Sequence, residues 1–159
     1  MGIIVSSFVG CGREYFKNVY GSKIKIFDAT ELEPSIEDEE NFDALIEDFY
    51  KKVMDEVPKH DIVFITSRKK IRKIFDNFNI DYDLFYPSKE RRGEFIENLV
   101  RKRVSPKHIR LVDLNFDKMV DEIDDEEAEN CYKHKMQNAG EFIGNQGVIM
   151  QYVNSLQNQ

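Results

Sequence analysis

Short apolar runs alternate along the chain with longer stretches of helical spacing. Ile3-Ile4-Val5 is a continuous apolar run closed by Ser6-Ser7, the pattern of a buried strand. Gly10-Cys11-Gly12 breaks it as a turn, and a helix fits from there to about Tyr20. Lys23 to Phe27 predicts a second strand ending at Asp28. Between Asn41 and Val57, Phe42, Leu45, Ile46, Phe49 and Val53 fall on one helical face, and Pro58 stops the helix. Ile62-Val63-Phe64-Ile65 is a third strand, of the kind covered on both faces in a parallel sheet. A helix over 67–78 follows, with Ser67 placed to cap it. Tyr82 to Tyr86 reads as a fourth strand ended by Pro87. Helices fit 88–103 and 106–124, parted near Ser105-Pro106. A fifth strand over Cys131–Met136 and a helix over 140–156 complete the pattern.

Strands separated by helical stretches indicate βαβ units. The expected fold is α/β, a three-layer sandwich with a mostly parallel sheet of about five strands and the first strand in its interior. No repeat, low-complexity segment or linker interrupts the chain, so residues 1–159 read as a single domain.

Composition sharpens this picture. The 159 residues include 12 Phe and 7 Tyr, enough apolar material for a core, which excludes a disordered chain. The net charge of −7 argues against a nucleic-acid coat protein. That total hides a segregated pattern. Residues 31–56 hold 11 acids and 2 bases, and 113–129 hold 9 acids and 1 base. Between them, 67–73 hold 5 bases and no acid, and 89–110 hold 8 bases and 3 acids. Such blocks are solvated helix faces or docking surfaces for charged partners, acidic or basic. Cys11 and Cys131 have neither zinc nor disulfide-framework spacing, so a reduced cytoplasmic setting is expected. No apolar stretch is long enough to span a bilayer and no leader pattern opens the chain, so no membrane partner is expected.

In open α/β sheets ligands bind beyond the carboxyl ends of the strands. The first strand leads into Ser7-Phe8-Val9-Gly10-Cys11-Gly12-Arg13-Glu14. Against the phosphate-loop pattern G-x-x-x-x-G-K-[ST], Gly12 keeps the second glycine. Ser7, Arg13 and Glu14 replace the first glycine, the lysine and the hydroxyl residue. A tight strand-to-helix turn accounts for the same residues.

Beyond this motif, the chain resembles a family of small P-loop kinase-like proteins, common among phage-type sequences and related to nucleoside and nucleotide kinases. Ile4 to Tyr15 matches the family's I-x-V-S-G-F-P-G-x-G-K-S-Y opening, and Phe27-Asp28-Ala29-Thr30 matches its acidic turn after the second strand. Asp61 to Arg72 matches D-x-I-F-V-S-S-x-K-x-V-R, Tyr86-Pro87 a strand end, and Arg101 to Pro106 an R-x-R-G-S-P-like segment. The resemblance covers residues 1–124. It implies a P-loop NTPase-like fold, ATP with Mg²⁺ as cofactor, and Gly10, Cys11, Gly12, Arg13 and Glu14 around the phosphates. It also implies Arg13 in the lysine role, Asp28 as a substrate- or metal-linked acid, and Arg101 and Arg103 as lid arginines.

The departures point the other way. Glu14 puts a carboxylate where a hydroxyl meets metal and phosphate, which repels a triphosphate or closes the loop by pairing with a base. The third strand ends at Thr66-Ser67 without the acid that often binds metal there. No metal site is read. Asp28 has a turn-capping reading of equal weight, and the basic middle can pair with the acids of 113–129. His60, His108 and His134 lack metal or triad spacing and read as surface or capping residues. Cys11 reads as a bystander thiol. Phe75, Phe78, Tyr82, Phe85 and Tyr86 read as core. The expected function is a degenerate, catalytically impaired P-loop kinase-like binder of a nucleotide-like anion or of a protein. The alternatives are an active nucleoside or nucleotide kinase and an acidic interaction or inhibitory module.

Overall fold

The computed structural model describes residues 2–35, 37 and 40–158; positions 36, 38 and 39 of the first acidic block lie outside the described residues. Five strands form one sheet: β1 (Ile3–Ser7), β2 (Ile26–Asp28), β3 (Ile62–Thr66), β4 (Tyr82–Pro87) and β5 (Cys131–Met136). Their order is β2-β3-β1-β4-β5 and every pairing is parallel. The helices are α1 (Arg13–Tyr20), α2 (Phe42–Glu56), α3 (Lys69–Asn77), α4 (Arg92–Arg101), α5 (Pro106–Asp125) and α6 (Gly147–Gln157). This is the expected three-layer α/β sandwich.

Both faces of the sheet are covered, so its central strands are continuously apolar rather than alternating. On one face Phe16 of α1 meets Phe64 edge-on at 5.8 Å, and α6 lays Ile149 and Tyr152 beside Ile3 and Phe85. On the other, Phe75 of α3 approaches Tyr82, and the Tyr86 hydroxyl donates to Asp124 of α5 at 2.7 Å. β1 lies between β3 and β4, with Ile4 and Val5 buried and Ile3 partly so.

Several boundaries differ from the sequence reading for local reasons. β2 starts at Ile26, because Lys23 and Ile24 fold back to the Tyr20 carbonyl. α3 starts at Lys69 without a side-chain cap, so Ser67 does not cap it; the Ser67 carbonyl instead accepts from Arg72 Nε at 2.7 Å. Gly140, at φ +82°, breaks the tail, and α6 begins only at Gly147. Leu45 and Phe78, expected in the core, are exposed, Phe78 stacking on Tyr50.

Two buried arginines tie the layers. Arg72 of α3 grips Glu126 with both guanidinium nitrogens, at 2.5 and 3.1 Å, fastening α3 to the end of α5. Arg91 lies against the stacked rings of Phe95 and Phe142, about 5 Å from each, and its Nη1 donates to the Glu141 carbonyl. It therefore pins the tail to α4.

Candidate functional site

From β1 the chain runs to β2 on one side and later crosses to β4 on the other, so the crevice beyond the carboxyl end of β1 lies at a topological switch point. The loop after Ser7 occupies it. Phe8 N–H donates to the Phe85 carbonyl and Cys11 N–H to the Phe8 carbonyl, both at 3.1 Å, which closes the turn. Gly10 (φ +83°) and Gly12 (φ +92°) take left-handed conformations that side chains rarely adopt. A Cβ on Gly12 would lie 3.2 Å from Phe142, so close approach requires glycine there too.

The loop is clamped from outside. Asn98 of α4 donates to the Gly10 carbonyl, and Ile143 N–H donates to the Cys11 carbonyl, both at 3.0 Å. Phe16 N–H to Gly12 O is the first bond of α1, which leaves the N–H groups of Arg13, Glu14 and Tyr15 without intrahelical partners. Among the described residues no side chain caps this end. Cys11 joins the loop by its backbone only: its side chain is buried, and burial pushes the thiol up to about 12, against the pull of Arg13 and Lys102. A thiol in that state is not a nucleophile.

The charged residues beside the loop neutralise one another. Lys17 Nζ lies 2.8 Å from Asp28 Oδ2 and 3.3 Å from Glu14 Oε1. Arg13 Nε lies 3.1 Å from the same Asp28 oxygen, off the axis of a hydrogen bond, and its Nη2 is 3.7 Å from Glu14. Thr30 donates to Asp28 Oδ1 from its hydroxyl at 2.6 Å and its N–H at 3.1 Å. Burial pushes the Asp28 carboxyl up, but Lys17, Thr30 and Arg13 together outweigh it and hold the group below the ordinary carboxylate range. Burial pulls Lys17 down, and Asp28 and Glu14 outweigh that and raise it. Asp28 thus caps the turn at Thr30, as one of its two sequence readings has it, and lies beside the loop.

A second acid reaches the site unannounced. The Glu33 carboxylate, fully buried, accepts from Thr66 N–H at 2.7 Å, from its hydroxyl at 2.5 Å and from Arg68 Nη2 at 2.9 Å. It supplies at the end of β3 the acid missing from Thr66-Ser67. The signal was indirect: Glu33 follows β2 closely, and the parallel register of Asp28 with Phe64 carries that segment to the end of β3.

A cavity of about 470 Å³ opens over the loop, lined by Gly10, Gly12, Arg13, Ser67, Lys102 and His108 among others. Across Gly12 a second one of about 360 Å³ is lined by Tyr15, Asn98, Phe142 and Asn145, and again by Lys102. The expected lid arginines are not among these linings. Arg101 pairs with Glu97 on the outer face of α4, and Arg103 takes a left-handed φ of +60° just past it. Lys102 between them is the cation turned to both cavities. The expected pairing of the basic middle with the acids of α5 occurs at Lys89 with Asp121 and at Arg92 with Asp113 and Asp117, rather than at 101–103. His60 and His134 have separate partners, His60 a backbone carbonyl and His134 Asp83.

Among the described residues the carboxylates beside the loop are committed: Glu14, Asp28 and Glu33 are each held by cations, which does not suit Mg²⁺. Among the described residues no group of three or more metal-ligating side chains forms, and no helix is long and apolar enough to cross a membrane.

No family model and no curated protein matches the chain. Among solved structures it is similar to the crystal structure of an uncharacterized protein from Eubacterium ventriosum. Identity is 14% over 98% of this chain and 99% of that one, with a TM-score of 0.43.

Proposed function

We propose that the protein is a P-loop nucleoside- or nucleotide-kinase-like protein whose phosphate loop has degenerated, a catalytically impaired binder of a nucleotide-like anion. The supporting observation is the loop itself. Two left-handed glycines and a helix N-terminus at the switch point open on a cavity that Lys102 also lines. Donors of this kind suit phosphate oxygens. The same loop explains the impairment. Arg13 and Lys17, the cations of the helix that the loop leads into, are engaged by Glu14 and Asp28. A phosphate entering there displaces an internal carboxylate or stands beside it. Like charges 4 Å apart repel by about 4 kcal/mol at a near-surface dielectric.

A thermal-shift panel of nucleoside mono-, di- and triphosphates, with and without Mg²⁺, tests this reading, followed by a turnover assay. The expected result is weak stabilisation by phosphate-bearing ligands and no phosphoryl transfer. Robust Mg²⁺-dependent turnover would establish a working kinase instead. No shift with any nucleotide would leave the acidic interaction module.

A further inference from the structure

α5 is charged against its own dipole. It has no acid in its first turn and no base in its last; Lys107, His108 and Arg110 open it, and Asp121, Glu122, Asp124 and Asp125 close it. A helix favours the reverse order. Within the chain the acidic end is largely answered. Lys133 Nζ donates to the carbonyls of Ile123, Asp124 and Glu126, Lys135 and Tyr86 hold Asp124, and Lys89 holds Asp121. Glu122 and Asp125 have no cation within ion-pair distance among the described residues. The basic end is hardly answered. Among the described residues no carboxylate pairs with Lys102, Arg103, Lys107 or Arg110, and Arg101 meets only Glu97, at 3.6 Å in open solvent.

Between these ends the outer face carries exposed apolar side chains among Asn115 and Lys118. Leu111 is 50% exposed, Leu114 75%, and Val100 of the neighbouring α4 58%. A groove of about 520 Å³ lies between α4 and α5, lined by Val100, Val104, Pro106 and Ile109 together with Arg110 and Asp113. Exposed apolar residues grouped in this way mark association surfaces. The arrangement is self-complementary, as the interface of a two-fold dimer must be. An axis crossing α5 between Leu111 and Leu114 runs two copies of the helix antiparallel. Each leucine then meets the other leucine of the second copy. α5 begins roughly 10 Å from the axis at 1.5 Å per residue, with the 101–103 turn just before it, and Glu122 and Asp125 of the second copy stand roughly 14 and 19 Å out on that same side. One like-charge apposition results, Lys107 with Lys118, between side chains long enough to splay apart.

We propose that this face docks a second copy of the chain, as an antiparallel dimer centred on Leu111 and Leu114 with Arg101 and Arg103 over Glu122 and Asp125 of the second copy. The proposal is independent of what the loop binds.

Sedimentation velocity of the full chain, from micromolar to millimolar at low salt, should show the mass rising from 18.8 kDa toward twice that value. Added salt should weaken the association. Leu111→Glu with Leu114→Glu should abolish it and leave the circular-dichroism melt in place, since both positions are exposed. Glu122→Arg with Asp125→Arg, and separately Arg101→Glu with Arg103→Glu, should each raise the dissociation constant about tenfold or more. Mixing those two variants should restore a dimer, because each then meets opposite charge at both ends. A single-chain mass at every concentration overturns the proposal, as does a dimer that survives the leucine substitutions or a mixture that fails to re-associate. A monomer that binds anionic vesicles through these residues would assign the face to a lipid surface instead.

Discussion

Lys17 Nζ lies 2.8 Å from Asp28 Oδ2, so the cation one turn along α1 from Arg13 answers the acid at the end of β2. Arg13 shares that oxygen and Glu14 touches both cations, giving a cluster of two positive and two negative groups. The chain thus carries its own stand-in for a bound anion. Removing it should release the cations. Asp28→Asn is expected to tighten binding of inorganic tripolyphosphate about tenfold, measured by calorimetry. The same substitution should cost about 1–2 kcal/mol in urea unfolding, as the charge-assisted hydrogen bonds weaken. Unchanged affinity would show that Arg13 and Lys17 do not reach the ligand.

The pH dependence has a definite sign. The Asp28 carboxyl is held below its ordinary range, so its contribution to stability is present above about pH 4 and is lost as the pH falls through the lowered folded value. Lys17 is raised, so its contribution is present below about pH 10.4 and is lost as the pH rises through the raised folded value. Melting temperature against pH should fall at both extremes, and Asp28→Asn should flatten the acid limb. An acid limb identical in the variant would place that sensitivity elsewhere.

Gly12→Ala is expected to destabilise the protein by about 1–3 kcal/mol through its left-handed backbone. The added methyl also crowds Phe142 at 3.2 Å. Phe142→Leu should relieve the crowding and leave the backbone strain, so recovery in the double variant should be partial. Full recovery would mean that the contact alone excludes a side chain.

Lys102→Ala should weaken anion binding at the loop, while Arg101→Ala with Arg103→Ala should leave it within about twofold, the scale of an ordinary surface pair. Titration of the three variants with tripolyphosphate, under dilute conditions where the chain is a single copy, separates them. The reverse order would restore the lid reading of Arg101 and Arg103.

Arg72→Ala strands the Glu126 carboxylate against the protein and is expected to cost about 3–5 kcal/mol in chemical unfolding, the usual loss when one partner of a buried pair is removed. A loss under about 1 kcal/mol would mean that water reaches Glu126 freely.

The central strands were legible because a sheet covered on both faces writes itself as uninterrupted apolar runs, and Ile62 to Ile65 is buried throughout. The turn at Gly10-Cys11-Gly12 was legible because both glycines take conformations that other residues avoid. Which of three consecutive cations faces the loop was not. α4 ends as Val104 N–H donates to the Leu99 carbonyl and Arg103 adopts φ +60°, a helix stop usually made with glycine. Helical phase cannot be carried through such a stop, and Lys102 rather than its neighbours turns inward. Glu33 was hidden differently: its partners lie 33 and 35 positions away, and only the register of β2 on β3 brings them together. Leu45 and Phe78 followed the apolar rhythm and still face solvent, since periodicity ranks a helix's faces without saying how wide the covered stripe is.

The clamp of Ile143 on the Cys11 carbonyl, with Phe142 against Gly12, has a consequence for biosynthesis. The loop leaves the ribosome well before these two groups, which follow it in the chain beyond β5. A nascent chain arrested after α5 carries every residue of the loop and neither of these contacts. The loop of such an intermediate should therefore exchange its amides more readily and gain full protection only when the segment beyond β5 docks, so that the site matures after residues far downstream of it have been made.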